Sequence, residues 1–307
     1  MIDSVNFYKS FAGMRGDPLE ILKYLEYESE KTDRFGKQFR TSTDGYKVLV
    51  TQQGALFVGS LAKSYFSGDN IKTLTRQTTK EAVERLNDML HIDLTRSQIN
   101  RLDIGANFLM KHPPVVYIGI LGQCKGLERV KKQNSLYYNC NTYPKKTLIF
   151  YDKGKDGIAK NMANDLKEEN LLRFELRFLN GLKKQTEAQT LADTYDPQIY
   201  YNNIQKWYEY YLKINKRKEI RLDMKSRKEM QDAMVASFVR SGLEQNPDFI
   251  NDIIKKAKAN NTLKDPREYS RIKAHFKNIL NNNKITYESE MEKELNEKIR
   301  ETAKYAR

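Results

Sequence analysis

At 307 residues the chain can bury a sizeable core and hold two domains. Its formal net charge of +14 favours acidic partners, nucleic acid before others. Two cysteines, Cys124 and Cys140, exclude a disulfide framework, and no apolar run approaches the roughly 18 residues that cross a bilayer. The opening, with Asp3, lacks the character of a secretory leader, so the expectation is a cytoplasmic protein with no membrane partner.

Residues 1–11 read as an opening strand, and 18–30 show helical spacing through Leu19, Ile21, Leu22 and Leu25. A hairpin follows, with 46–51 rich in β-formers, a turn at Gln52-Gln53-Gly54 and a return over 55–61. Thr78 and Glu81 have capping-box spacing and open an amphipathic helix through Ala82, Val83, Leu86, Met89 and Leu90. It ends at His91 and delivers the chain to a strand at 99–108. Residues 115–121 are a short apolar run compatible with strand or helix. Residues 135–139 and 147–153 form a second hairpin; 156–170 are polar and partly helical, before a strand at 171–178. Beyond that the pattern turns helical. One helix starts at Asp196-Pro197, and four more are expected over 224–239, 247–259, 266–280 and 286–305. The fold class is α+β: an antiparallel sheet flanked by helices over 1–190, then a basic all-α domain over 191–307.

Two strands share one design. In 171–178, Leu172, Phe174, Leu176 and Phe178 face a core while Arg173, Glu175 and Arg177 face away. In 99–108, Leu102, Ile104, Ala106 and Phe108 share the apolar face, and Arg101, Asp103 and Asn107 the other, with Gly105 leaving space. Charged rows on central strands are costly unless paired or used. If the polar faces coincide, Asp103 and Glu175 meet amid arginines, which suits magnesium or manganese and a phosphate. The competing account is a structural lattice of arginine and acid stitching the sheet.

Histidine chemistry has little support, since His91, His112 and His275 are unpaired at ligand spacing. Phosphate loops, nucleophile elbows and zinc spacings are absent. Tyrosine is in surplus, with 19 residues, and a phenol near cations can attack phosphorus and form a phosphotyrosine. Tyr200 and Tyr201 open a helix after a flexible link. Tyr200, Ile204, Trp207 and Tyr211 also form one helical stripe, which is the signature of core; Tyr201 falls off it. Lys216, Arg217, Lys218 and Arg221 make a basic junction suited to DNA or to a dimer contact.

The opening Met1-Ile2-Asp3, the strand at 99–103, Thr-Leu-Ile-Phe-Tyr-Asp-Lys at 147–153 and Arg-Phe-Glu-Leu-Arg at 173–177 resemble rolling-circle replication initiators. The likeness is to the filamentous-phage gene II type, with the Rep_trans plasmid initiators more distant, and covers roughly residues 1–180 as ordered motifs. It implies a strand transferase on a fold similar to the HUH endonucleases. Such an enzyme cuts one strand at a single-stranded or cruciform origin, stays joined through tyrosine to the 5′ end, and later rejoins the strand. It further implies a divalent metal held by Asp103 and Glu175, Lys153 at the scissile phosphate, and Arg101, Arg173 and Arg177 on the DNA. A host helicase, a homodimer and a bacterial host's cytoplasm belong to the same expectation. The chain departs from plasmid members at Asn107, where a second acid is usual, and 179–194 hold no tyrosine. The nucleophile therefore lies elsewhere, with Tyr200 ranked first, then Tyr201, Tyr195 and Tyr211. A mobilisation relaxase, with the same chemistry, and a non-catalytic nucleic-acid-binding protein on a related fold are the rivals. The second needs exposed aromatics where this sheet carries Arg, Asp and Glu.

Overall fold

The two strands with the shared design lie side by side in the middle of a ten-stranded antiparallel sheet. The computed structural model describes residues 1–14, 17–34, 36–68, 71–155, 170–221, 223–246 and 248–306. Eleven strands come first in chain order. They are β1 (Ile2–Ser10), β2 (Glu26–Asp33), β3 (Gly36–Thr43), β4 (Tyr46–Val50), β5 (Gly54–Gly59), β6 (Gln98–Leu109), β7 (Leu121–Cys124), β8 (Glu128–Lys132), β9 (Ser135–Asn139), β10 (Lys145–Asp152) and β11 (Leu171–Asn180). All but β7 join the large sheet, in the order β2-β3-β4-β5-β1-β6-β11-β10-β9-β8. Helices α1 (Leu61–Tyr65), α2 (Arg76–Leu90), α3 (Pro114–Ile120) and α4 (Pro197–Leu212) accompany it.

Helix α4 begins where the sequence places it. The Asp196 carboxylate accepts the Gln198 and Ile199 N–H groups, and Pro197 takes the first helical position, where its missing N–H costs nothing. Its stripe is core. Trp207 stacks on Phe174 with centroids 4.7 Å apart, Phe174 stacks on Phe150 at 4.2 Å, and Tyr211 packs beside both. Phe108, Phe150 and Phe174 therefore face α4, and from Arg101 onward in β6, as in β10 and β11, the odd-numbered row points to the opposite side.

Several elements differ from expectation. Residues 18–30 are not one helix. Asp17 caps a 3-10 turn over Pro18–Tyr24, and Glu26–Asp33 then extends as the sheet's edge strand, because the apolar spacing covers under two turns before the chain becomes charged. Charges on an edge strand also discourage pairing with other chains. Helix α2 starts one residue-triplet early: Thr75 and Thr78 form the capping box, while Glu81 instead accepts from Tyr65 Oη at 2.6 Å. The apolar run after Pro113 is α3 followed by β7. Residues 156–169, expected to be partly helical, lie outside the described residues.

The chain forms two compact units rather than a division at 190/191. One comprises Met1–Gly119, Cys124–Ile214 and Asn296–Arg307; the other comprises Ile120–Gln123 and Asn215–Leu295. Helix α4 stays with the sheet because Trp207 and Tyr211 are buried on it. The second unit holds α5 (Arg227–Gln245), α6 (Phe249–Ala259) and α7 (Pro266–Ile279) around Ala233, Ala236, Ile279 and Ile285. There β13 (Glu219–Ile220) pairs with β14 (Thr286–Tyr287), so the last helix, α8 (Glu290–Tyr305), starts later than 286. Short β12 (Ile214–Lys216) pairs with β7.

Candidate active site

Register decides which side chains meet. β11 pairs with β6 so that Arg173 faces Asn107, Glu175 faces Gly105 and Arg177 faces Asp103; β10 sets Tyr151 opposite Arg173. The polar rows coincide on one face, the condition on which a meeting of Asp103 and Glu175 depends. Glu175 folds over Gly105, where an added Cβ would lie 2.9 Å from Glu175 Cγ and 3.1 Å from the Phe174 carbonyl oxygen. A register shift in β1 between Ile2 and Val5 accompanies the turn of Asp3 onto the same face, where its carboxylate meets Arg173.

The cluster is a neutral lattice of three acids and three arginines. Arg101 donates to Asp103 in a fork, Nε to Oδ1 at 2.9 Å and Nη2 to Oδ2 at 2.6 Å. Arg177 donates from Nε and Nη2 to Glu175 Oε2 at 2.9 and 2.6 Å, and its Nε lies 3.5 Å from Asp103 Oδ2. Arg173, fully buried, donates from Nε to Glu175 Oε1, from Nη1 to Asn107 Oδ1 at 3.0 Å, and pairs with Asp3 Oδ2 at 2.7 Å. Tyr151 Oη donates to Glu175 Oε1 at 2.8 Å. Asp103 and Glu175 are buried, whereas the Arg101 and Arg177 side chains keep 30% and 31% of their surface in solvent.

The two acids titrate apart. Burial pushes Asp103 up to about 6, because its partner Arg101 is partly solvated and Arg177 is mostly spent on Glu175. Burial would raise Glu175 as well, but the Arg173 and Arg177 guanidiniums overcome it and hold the carboxyl down to about 2. Burial and the neighbouring Glu175 push the Tyr151 phenol up. Because the folded-state value of Asp103 lies above its ordinary 3.8, its contribution to stability is present below pH 4 and is lost as pH rises through about 6. Glu175 acts oppositely, and its contribution is lost as pH falls from 4.5 towards about 2. Between pH 4 and 6, urea denaturation of wild type is expected to show stability falling relative to Asp103→Asn, by up to about 1 kcal/mol per pH unit. Equal slopes would refute this.

Each of the four oxygens of Asp103 and Glu175 accepts from a guanidinium. Among the described residues no group of three or more His, Cys, Asp or Glu is placed to hold a metal ion. A dication needs vacant anionic oxygens, and in this arrangement the two acids do not fit one.

Lys153, the residue after β10, is 1% exposed, and its backbone N–H donates to the Leu171 carbonyl. The expected tyrosines and the basic junction fall elsewhere. Tyr200 is buried on α4, with Oη 3.4 Å from the Leu74 carbonyl oxygen, and its phenol is pushed up by burial. Tyr201 is 47% exposed on the same helix, and Tyr211 is core. These three tyrosines belong to the helix covering the face opposite Asp103 and Glu175. In the second unit, Lys218 Nζ and Arg221 Nε donate to Asn283 at 3.3 and 3.2 Å, and the Arg221 guanidinium lies over the Tyr287 ring. Lys216 and Arg217 flank them, half-buried. Two residues of the cluster went unassigned in the sequence, Asp3 and Tyr151. The signal for both was present, since each belongs to a motif carrying the resemblance.

The family model for the N-terminal part of the gene II-type replication-associated protein of phages matches residues 19–294. The chain belongs to this family. None of the curated proteins compared matches it. As a gene II-type phage replication protein it acts in DNA replication initiation, which accords with its charge of +14. No helix among the described residues is long and apolar enough to cross a membrane.

Proposed function

We propose that this replication protein cuts and rejoins one DNA strand at the face formed by Asp103, Glu175 and their arginines. The supporting observation is the pair of half-open guanidiniums, Arg101 and Arg177, set over two buried carboxylates and beside a phenol. Both side chains keep about a third of their surface exposed although their forks hold the acids, so each could turn donors toward a phosphodiester. They would hold the scissile phosphate and neutralise charge that grows on it during transfer.

On this reading Tyr151, whose hydroxyl donates to Glu175, is the attacking phenol. Its oxygen would bond to phosphorus as the bond to the 3′ oxygen breaks, leaving a 5′-phosphotyrosine. The phenolic proton would pass to Glu175, already its hydrogen-bond acceptor, and the released 3′ oxygen would take a proton from water. Resting Glu175 is a weak base because Arg173 and Arg177 hold it ionised. A phosphate that draws Arg177 away removes one of those cations and makes Glu175 more basic. Rejoining reverses the step, with the 3′-OH as nucleophile.

The test is a denaturation-resistant adduct between the protein and labelled single-stranded DNA carrying the origin, with manganese and separately with EDTA. Adduct is expected in wild type, in Tyr200→Phe and in Tyr201→Phe, and its yield should fall more than about 100-fold in Tyr151→Phe. Adduct surviving in Tyr151→Phe would overturn the nucleophile assignment, and adduct surviving in Arg101→Ala/Arg177→Ala would overturn the phosphate site. Adduct with manganese but not with EDTA would show that the reaction needs a divalent ion, which this face in its present pairing does not account for.

A further inference from the structure

The second unit concentrates positive charge on one helical pair. Residues 255–284 carry nine lysines and arginines against two acids, Asp265 and Glu268. In α7 the inward residues are Tyr269 and Ile279, with Ile272 and Phe276 half-buried. Arg267, Ser270, Arg271, Ala274 and Asn278 are exposed along the other face at helical spacing. The face thus has long forked donors at two turns, an amide at the far end, and short side chains between them.

Tyr269 fixes how this helix is presented. Its hydroxyl donates to the Ala257 carbonyl at 3.1 Å and accepts the Leu263 N–H at 3.0 Å, tying the end of α6 and the turn to the start of α7. Lys258 lies over the same ring, 5.8 Å from its centroid, which sets a cation beside the N-terminal end of α7. The Asp265 carboxylate caps that end by accepting the Arg267 N–H at 2.9 Å. Arg271 Nη1 pairs with Glu268 at 2.5 Å, but this pair is exposed, so it holds the guanidinium weakly and leaves most of its donors open.

We propose that α7 enters the major groove of duplex DNA as a reading helix of a helix-turn-helix pair with α6. Arg267 and Arg271 suit the paired acceptors of guanine, Asn278 suits adenine, and Ser270 and Ala274 let the helix approach the groove floor. Lys258, Lys264 and Lys277 flank this row and suit phosphates. The proposal rests on the family's role in DNA replication and not on the cleavage chemistry. It adds a duplex-binding surface on the second unit, distinct from the face bearing Asp103 and Glu175.

The experiment uses the full chain and a randomised duplex DNA library, with affinity then compared between the enriched duplex and the starting pool by fluorescence anisotropy. Wild type is expected to enrich a common site. Arg271→Ala should reduce preference for that site by roughly 5- to 150-fold and relax one position within it. Lys277→Ala should weaken both duplexes alike and lower the salt slope by about one. Ala274→Asp, a surface change, should abolish duplex binding with the thermal melt unchanged. Adduct yield on short single-stranded DNA should be unaffected in all three, so failure of the cleavage chemistry and failure of this proposal give different results. No enrichment, an unchanged preference in Arg271→Ala, or tighter binding of an RNA duplex would overturn it.

Discussion

Replacing Arg173 by leucine is expected to cost about 3–5 kcal/mol of folding stability, the usual result of breaking a buried ion pair from one side. The guanidinium is fully buried and serves Asp3, Asn107 and Glu175 at once. Its removal takes the guanidinium partner from buried Asp3 and one of two from buried Glu175, which keeps Arg177 and Tyr151. Charge alone is not the source of the penalty. The triple variant Arg173→Leu/Asp3→Leu/Glu175→Leu removes the two buried carboxylates along with the guanidinium, and is expected to recover part of the loss, because apolar replacement of buried ion pairs is often neutral, while Tyr151 and Arg177 lose an acceptor. Urea denaturation of the single and triple variants checks this. A single variant as stable as wild type, or a triple variant no better than the single, would overturn the account. The same comparison separates scaffold from chemistry, since the triple variant should fold yet form no adduct.

Much of this cluster could be read in the chain because strand geometry is simple. An Arg-x-Asp or Arg-x-Glu-x-Arg spacing on a strand puts every charged residue on one side, so Arg101 with Asp103, and Arg173 and Arg177 with Glu175, were bound to be neighbours. That β6 and β11 would pair, with Gly105 beneath Glu175, followed only from assuming a shared sheet. Alternation does not say which face a later helix will cover. The ranking of Tyr200 as first candidate nucleophile lacks that fact, although its stripe with Ile204, Trp207 and Tyr211 has the spacing of core. Strands β2, β3 and β8 escaped notice for another reason. They are edge or near-edge strands whose charged residues, such as Glu28, Lys31 and Lys132, obscure the apolar alternation on which strand recognition depends. The choice between a metal site and a lattice was also out of reach, since residue types are the same in both and only the direction of each guanidinium differs.

The two-faced sheet makes a second large effect separable from the first. Trp207→Ala is expected to cost about 3–5 kcal/mol, since the indole is fully buried against Phe174 at 4.7 Å and Phe108 at 6.4 Å. Its N–H has no acceptor among the described residues, so the substitution forfeits packing rather than a hydrogen bond. The cavity opens on the side of β11 carrying Phe174, while Glu175 and Arg173 project from the other side, each held by its own side-chain pairings. Adduct yield per folded molecule, measured well below the melting temperature, should therefore match wild type although the melt falls by on the order of 10 °C. Arg173→Leu should lower both. If Trp207→Ala instead abolished the adduct while near-ultraviolet circular dichroism reported a folded chain, the reacting phenol would belong on α4 with Tyr200 and Tyr201, and the face carrying Asp103 and Glu175 would be a scaffold.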